Sequence, residues 1–452
     1  MSTEKLAILG GEPLIQGEVP VKHLFGWPII TQEDEEAALE VIRRGAFSGT
    51  DVTAKFEAEF AAWQGTEYAL AFCNGTQSLA AAVFAAGLGA GDEIICTTKT
   101  FWASIAPSMI FGVKPVFCNI TEMLSMDPDD LDRCLSPRTK AIMVVHYMGY
   151  PCDMDRIMAF AEKHNLTVIE DVSHAQGGYY KGKKLGSFGK VAAMSLMAGK
   201  SLVAGEGGML VTDDREVYER ALAYGHYERN VAKNISTESL QPYLGLPLGG
   251  VKGRLNQVSA AIGRVQLKHY DERIAEIDKA MNYFWDLLEG LPGIKGIRTE
   301  KGSGSTMAGW FSCSGAYYPE QLHGLSAKDF CEAVTAEMNK TKLVWAGGNY
   351  CLHTHKLFSD FNMRNAGKPG SIEYTGEEVY NGGDGGDSAI QRENVSVPWF
   401  KHFDKYWIEQ YAACYRKVIE NHMDLVEKLA ADKALADTEE QGRWGGANNV
   451  PK

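Results

Sequence analysis

The stretch Ser195–Asp214, "SLMAGKSLVAGEGGMLVTDD", decides how this chain is read. Its Gly199-Lys200-Ser201 triplet beside a glycine-rich turn invites comparison with a phosphate-binding loop. Such a loop needs a glycine five residues before its Gly-Lys pair, so that the backbone can wrap the phosphates. That position is Met194, whose side chain obstructs the approach. Lys200 instead lies among apolar residues and glycines, between the runs "AAMSLM" and "GGMLVTDD". These read as neighbouring strands of one sheet, the second a candidate for antiparallel pairing. A lysine removed from water there has a lowered pKa and becomes an amine nucleophile; the plain alternative is a solvated surface charge.

Upstream of that stretch, short apolar runs alternate with helix-length segments. They include "YALAFC", "TQSLAAAVFAAG", "EIICTT", "ASIAPSMIFG", "PVFCNI", "DPDDLDRCL", "KAIMVVH", "MDRIMAFAEKH" and "TVIEDV". Strands that are apolar along their whole length, spaced by crossovers, predict a parallel sheet covered on both faces, hence an α/β domain. Ahead of them, "TQEDEEAALEVIRRG" predicts an amphipathic helix with Thr31 as N-cap, Asp34 three residues on, Ala38, Leu39 and Ile42 on one face, and a stop at Gly45. Downstream, Leu255 to Leu288 keeps helical periodicity for more than thirty residues and predicts a bridge from a large domain to a smaller C-terminal one. The "NGGDGGD" stretch at 381–387 reads as a loop without the ligand spacing of a calcium-binding EF-hand. The last twenty or so residues read as a poorly ordered tail.

Composition narrows the function classes. The chain has 452 residues, 45% hydrophobic and 23% charged, enough for a large core and about two or three domains. A net charge of -13 without a basic run argues against a nucleic-acid or anionic-membrane surface. Nine cysteines, an odd number without a C-x-x-C pair, are scattered through the chain, in segments such as "EIIC" and "PVFC" that read as buried strands, and predict small core residues in a reducing compartment, with no metal site. The opening "MSTEKLAILGGEPL" lacks a basic-then-apolar leader, and nowhere do about 18 apolar residues run uninterrupted, so a cytoplasmic location is expected.

Ligands of an open parallel sheet bind where its strands run out, and four sequence features sit there. In "CNGTQSLAAAV", Gly75 and Thr76 offer backbone amides, and Thr76 a hydroxyl, at a helix N-terminus suited to an anion; an ordinary capped turn is the alternative. In "TVIEDVSHAQG", a strand delivers Asp171 at its end and His174 beyond it, while Glu170 points to the opposite face. In "KTFWAS", Phe101 and Trp102 follow a strand and are either core or a platform for a ring. The fourth is Ser195 with Lys200. An anion cup, a strand-end aspartate, an aromatic and a sequestered lysine together meet the needs of pyridoxal 5′-phosphate: a Schiff-base amine, a partner for the pyridine nitrogen, a stacking surface and a phosphate site.

These residues resemble the DegT/DnrJ/EryC1/StrS family of sugar and cyclitol aminotransferases. The motifs are N-G-T-x-x-L at Asn74 to Leu79, T-F-x-A at Thr100 to Ala103, E-D-x-x-H-A-x-G at Glu170 to Gly177, S-x-x-x-x-K at Ser195 to Lys200, G-E-G-G at Gly205 to Gly208, and A-A-I-G-x-x-Q-L at Ala260 to Leu267. They occur in the family's order, and the similarity spans roughly residues 10 to 430. The resemblance implies a fold type I architecture: a mostly parallel seven-stranded sheet between helices in a large domain, residues 31–288. An N-terminal arm (1–30), a smaller C-terminal α/β domain (289–430) and a flexible tail (431–452) complete it. It implies pyridoxal phosphate as cofactor, with Lys200 and Asp171 catalytic, His174 against the ring, Phe101 stacking, and Gly75, Thr76 and Ser195 at the phosphate. In "GGVKGRLNQ" the family's usual Asn is replaced by Lys252, which the resemblance would place on the phosphate across a dimer interface. "CLHTHKLF" resembles the family's Pro-Leu-His segment at His353, with Cys351 in place of Pro. "LAILGGEP" and "GKSLVAGEGG" look similar to the branch of scyllo-inosose aminotransferases and aminohydroxybenzoate synthases. The implied function is amino transfer from glutamine or glutamate to a keto-sugar or keto-cyclitol by a ping-pong route in a homodimer. A lyase or aromatising enzyme and a non-catalytic cofactor-binding regulator are the alternatives.

Overall fold

A computed structural model describes residues 5–359 and 394–445 of the chain. The 381–387 stretch lies outside the described residues. The central sheet has seven strands in the order β1-β9-β8-β5-β4-β2-β3. They are β1 (Tyr68–Phe72), β2 (Glu93–Thr97), β3 (Lys114–Cys118), β4 (Thr139–Val145), β5 (Thr167–Asp171), β8 (Val191–Ser195) and β9 (Gly208–Thr212). A two-stranded hairpin, β6 (Tyr179–Tyr180) and β7 (Lys183–Lys184), stands apart from it. β9 is antiparallel to both β1 and β8, while the remaining pairs are parallel. β1, β2, β3, β4, β5 and β8 therefore all end on one edge of the sheet.

The apolar strand sequences follow from burial on both faces. Ile94 and Cys96 of β2 enter one core and Ile95 the other; Ala141, Met143 and Val145 of β4 divide in the same way from Ile142 and Val144. The helix Gly75–Ala85 starts directly after β1, and its Asn74 cap accepts the amide of Gln77 at 2.9 Å. The helix Gln32–Arg43 has the expected capping box, with Asp34 accepting both the amide and the hydroxyl of Thr31.

Three expectations need correction. The outer face of Gln32–Arg43 contains Leu39 and Ile42, both exposed, whereas Val41 and Asp34 are the buried residues. Asp34 is drawn inward because it also accepts from Gln266 at 2.7 Å. The segment "ASIAPSMIFG" forms two short 3-10 turns, Trp102–Ser104 and Ala106–Phe111, with Pro107 at the start of the second. The periodicity from 255 to 288 belongs to two helices, Gln257–Lys268 and Tyr270–Leu288, broken at His269. The break turns Tyr270 inward, where its hydroxyl donates to the carbonyl of Gln176 at 2.8 Å. The last helix among the described residues is His422–Gly445.

A second, antiparallel sheet follows, β10 (Ile294–Gly296), β11 (Ser314–Tyr317) and β12 (Asn394–Ser396), in that order. The helix Ala327–Glu337 packs on β12 and on Lys405–Glu420, which packs in turn on Tyr270–Leu288. Leu6, Ile15 and Leu24 are buried in this part of the core. Glu337 accepts the amides of Ala7 and Leu14 and pairs with Lys417. No helix among the described residues is long and apolar enough to cross a membrane.

Candidate active site

The common edge of the strands assembles the sequence-predicted residues. Asp171 is the last residue of β5, and the backbone after β8 makes a tight excursion, bridged at Met197 and Gly205, that brings Lys200 back over the edge. Within it, the amide of Ala198 reaches Gly205 O at 2.7 Å and that of Lys200 reaches Met197 O at 2.8 Å. From below, Ser201 bonds Gln176 at 3.0 Å and lies 2.8 Å from the Tyr270 hydroxyl. Gln176 in turn donates to Ser195 O at 2.7 Å. From outside, the indole of Trp27 donates to Lys200 O at 2.8 Å. Supporting hydrogen bonds of this kind lock the loop that carries the side chain.

Lys200 is 8% exposed, and its amine lies 4.1 Å from the ring centroid of Phe311. Burial lowers its pKa from the usual 10.5 to about 8, with the Asp171 carboxylate pulling the other way. Asp171 is buried and doubly fixed: Ser104 donates to one oxygen at 2.7 Å and the amide of Ser173 to the other at 3.0 Å. Glu170, pointing to the opposite face as strand alternation requires, accepts from His146 at 3.1 Å and from the amides of Gly186, Phe188 and Gly189.

His174 accepts the amide of Met148 on Nδ1 at 3.1 Å, so a single proton resides on Nε2. Burial first and the neighbouring Lys200 charge second push its pKa well below 6.5, and it is neutral. Its ring packs at 4.5 Å on Phe311 and 5.5 Å on Tyr147. Gly75 meets Ser195 so closely that a Cβ on it would stand 2.5 Å from the Ser195 Cβ. The two therefore form a floor at the junction of β1 and β8. There the amides of Gly75 and Thr76, opening a helix, lack partners within that helix. Ser195 O and N are taken by Gln176 and Ser173, leaving its hydroxyl, which accepts a 3.3 Å contact from the Met197 amide.

The family profile of the DegT/DnrJ/EryC1/StrS aminotransferases matches residues 28–371. The chain belongs to the DegT/DnrJ/EryC1/StrS aminotransferase family. It is 35% identical over 272 residues to the spore coat polysaccharide biosynthesis protein SpsC of Bacillus subtilis, covering 60% of this chain and 70% of that protein. It is 32% identical over 304 residues to a putative L-glutamine:3-amino-2,3-dideoxy-scyllo-inosose aminotransferase of Micromonospora echinospora, covering 66% and 68%. The solved structure of an aminotransferase from Psychrobacter cryohalolentis superposes with a TM-score of 0.73 at 28% identity, covering 88% of this chain and 99% of that one.

Members of the DegT/DnrJ/EryC1/StrS family use pyridoxal phosphate. The donor set here fits that group: a buried amine with a depressed pKa, a buried carboxylate aimed at the same edge, a flat neutral imidazole, and a glycine floor under a helix N-terminus.

Two further sequence-predicted residues are exposed in the single chain. Phe101 is 45% exposed and tilts against Trp102 at 5.1 Å. The loop of Lys252 runs beside β1 of its own chain, where the Cys73 amide reaches Gly253 O at 2.6 Å. Lys252 itself is exposed and extends over the Tyr227 ring at 5.4 Å. Neither meets Lys200 or Asp171 among the described contacts. His353 joins the end of β2 through a 2.5 Å contact with the Thr98 hydroxyl.

Sequence reasoning missed Phe311, Trp27, Ser104 and Tyr147. Ser104 lies three residues after Phe101 in "TFWAS", and a hydroxyl at that short spacing from a strand end was a usable signal. Phe311 and Trp27 are more than a hundred residues from Lys200 in sequence, and no local pattern marks them.

Proposed function

We propose that the chain transfers an amino group from glutamine or glutamate to a keto-sugar or keto-cyclitol, with Lys200 as the group that accepts and returns the proton. The observation that supports this reading most is Lys200 itself, an amine with pKa about 8 held by a pinned loop next to a fixed carboxylate. When bound, pyridoxal phosphate supplies an aldehyde that takes amines and a ring that withdraws electrons from the carbon next to nitrogen.

In this reading the protein's own groups divide the labour. Near neutral pH a fraction of Lys200 is uncharged, so Nζ can attack a carbonyl and afterwards shuttle a proton over a short distance. Asp171 stays oriented by Ser104 and Ser173 to hold a proton on a ring nitrogen. His174 and Phe311 present flat faces that exclude water from the amine. Gly75, Thr76 and Ser195 would take the phosphate, Phe101 would stack, and Lys252 would reach the phosphate from a second subunit of a homodimer.

The test is an absorbance spectrum of the purified protein with added pyridoxal phosphate, followed by a donor screen. A band at roughly 410–420 nm that borohydride fixes to Lys200 supports the reading. Loss of that band on adding glutamine or glutamate, with an aminated sugar or cyclitol formed, supports transfer. A bound cofactor that no amino acid alters would favour a regulator, and an unsaturated or aromatic product would favour a lyase.

A further inference from the structure

Cys118 and Cys134 lie outside that chemistry. Cys118 ends the edge strand β3, and Cys134 ends the short helix Leu131–Cys134. Their sulfurs lie within 4.8 Å of one another, and both side chains are buried. Each thiol donates to a backbone carbonyl, Cys118 to Asp127 at 3.3 Å and Cys134 to Phe117 at 3.4 Å. Asp130 brings a carboxylate oxygen into the same cluster, yet its oxygens are engaged by the Arg133 guanidinium and the Asn119 amide. A carboxylate so occupied, beside a fixed cation, is a poor third ligand for a metal ion. Two facing thiols beside a guanidinium suit a sulfur–sulfur bond.

We propose that Cys118 and Cys134 are a redox modification site that closes to an intramolecular disulfide when the protein meets hydrogen peroxide. One sulfur attacks the peroxide O–O bond, becoming a sulfenic acid and releasing one water. The second sulfur attacks the sulfenic sulfur and displaces its hydroxyl as a second water. The two thiols give up two electrons and two protons, which the peroxide consumes.

Contact with Cys134, and then burial, holds the Cys118 thiol well above its ordinary pKa, so the closed form reacts slowly. The four-residue helix bearing Cys134 is too short to be stable alone, so local opening of that turn is the route by which the buried pair would meet the oxidant. Oxidation therefore speeds up with rising pH and with denaturant well below unfolding. The bond would tie down a strand end that also touches the site's approach, since Cys118 O accepts the amide of Thr98 at 3.0 Å.

The experiment treats the full chain with hydrogen peroxide and reads intact mass and a non-reducing peptide map. Expected are a mass loss of two hydrogens, one cross-linked peptide pair containing Cys118 and Cys134, and reversal by a phosphine. C118S and C134S should each abolish the loss, while C152S keeps it; if one variant does not fold, the other gives the comparison. Oxygen addition to either cysteine without a cross-link would overturn the proposal. So would a different pairing, or stoichiometric zinc that shields both thiols.

Discussion

The hydroxyl of Ser104 donates to Asp171 Oδ2 at 2.7 Å and itself lies 2.9 Å from the Thr100 hydroxyl, so a buried relay orients the carboxylate. S104A leaves that oxygen without its partner. Outer-shell losses of this kind cost roughly 10- to 100-fold, and we expect pyridoxal phosphate affinity to fall accordingly while the fold persists. Absorbance titration measures it; unchanged affinity would show that Ser173 alone suffices.

Gly75 and Ser195 share a contact with no room for a methyl group. In G75A the new Cβ would stand 2.5 Å from the Ser195 Cβ and 2.8 Å from its Cα, so backbone must shift. Overpacking costs about 1–3 kcal/mol, and we expect a lower melting temperature together with loss of cofactor uptake. A variant that binds cofactor like the parent would refute the assigned floor.

Lys200 should show its depressed pKa directly. In apoprotein, labelling of Lys200 by an amine-reactive reagent should rise with pH and reach half-maximum near about 8, whereas exposed lysines keep rising toward their ordinary range. The same shift has a stability sign. The folded pKa lies below the unfolded value of 10.5, so the charged amine destabilises the folded state below about pH 8, and the penalty is relieved as pH rises between the two. K200M should therefore melt higher than apo wild type at pH 7, by about 3 °C, while abolishing transfer. An equal or lower melting temperature would argue against the buried charge.

Glu170 gives the opposite behaviour in acid. Burial favours its neutral form, but His146 and the amides of Gly189 and Gly186 outweigh burial and hold the pKa below the usual 4.5. It contributes stability above 4.5 that is lost as pH falls through the lower folded value. E170Q should cost about 3 kcal/mol at pH 7 and flatten the acid limb of a urea-midpoint profile. An unchanged acid limb would assign that slope to other carboxylates.

Much of this edge was legible because strands obey simple rules. Alternation separates Glu170 from Asp171, apolar continuity marks β2, β4 and β5 as interior, and the Met194 test frees Lys200 from a nucleotide role. The helix break at His269 was not legible, since the periodicity continues through it; the demand comes from Tyr270 reaching Gln176, a contact made only in the folded chain. Leu39 and Ile42 misled for a related reason: an apolar residue on a helix signals the core only where something packs against it, and here Val41 took that place. Phe311 could not be found from spacing, because its position over Lys200 is set by packing of distant segments.

The indole that holds the Lys200 carbonyl belongs to Trp27, whose ring also lies 4.7 Å from the buried amine of Lys401. The family match begins at residue 28. A fragment cut at that boundary would keep every motif by which the family is recognised and still lose the Trp27 hydrogen bond to the Lys200 carbonyl. The contacts that hold Lys200 therefore begin before the region the chain's kinship defines, and domain swaps between relatives should carry Trp27 along with the sheet.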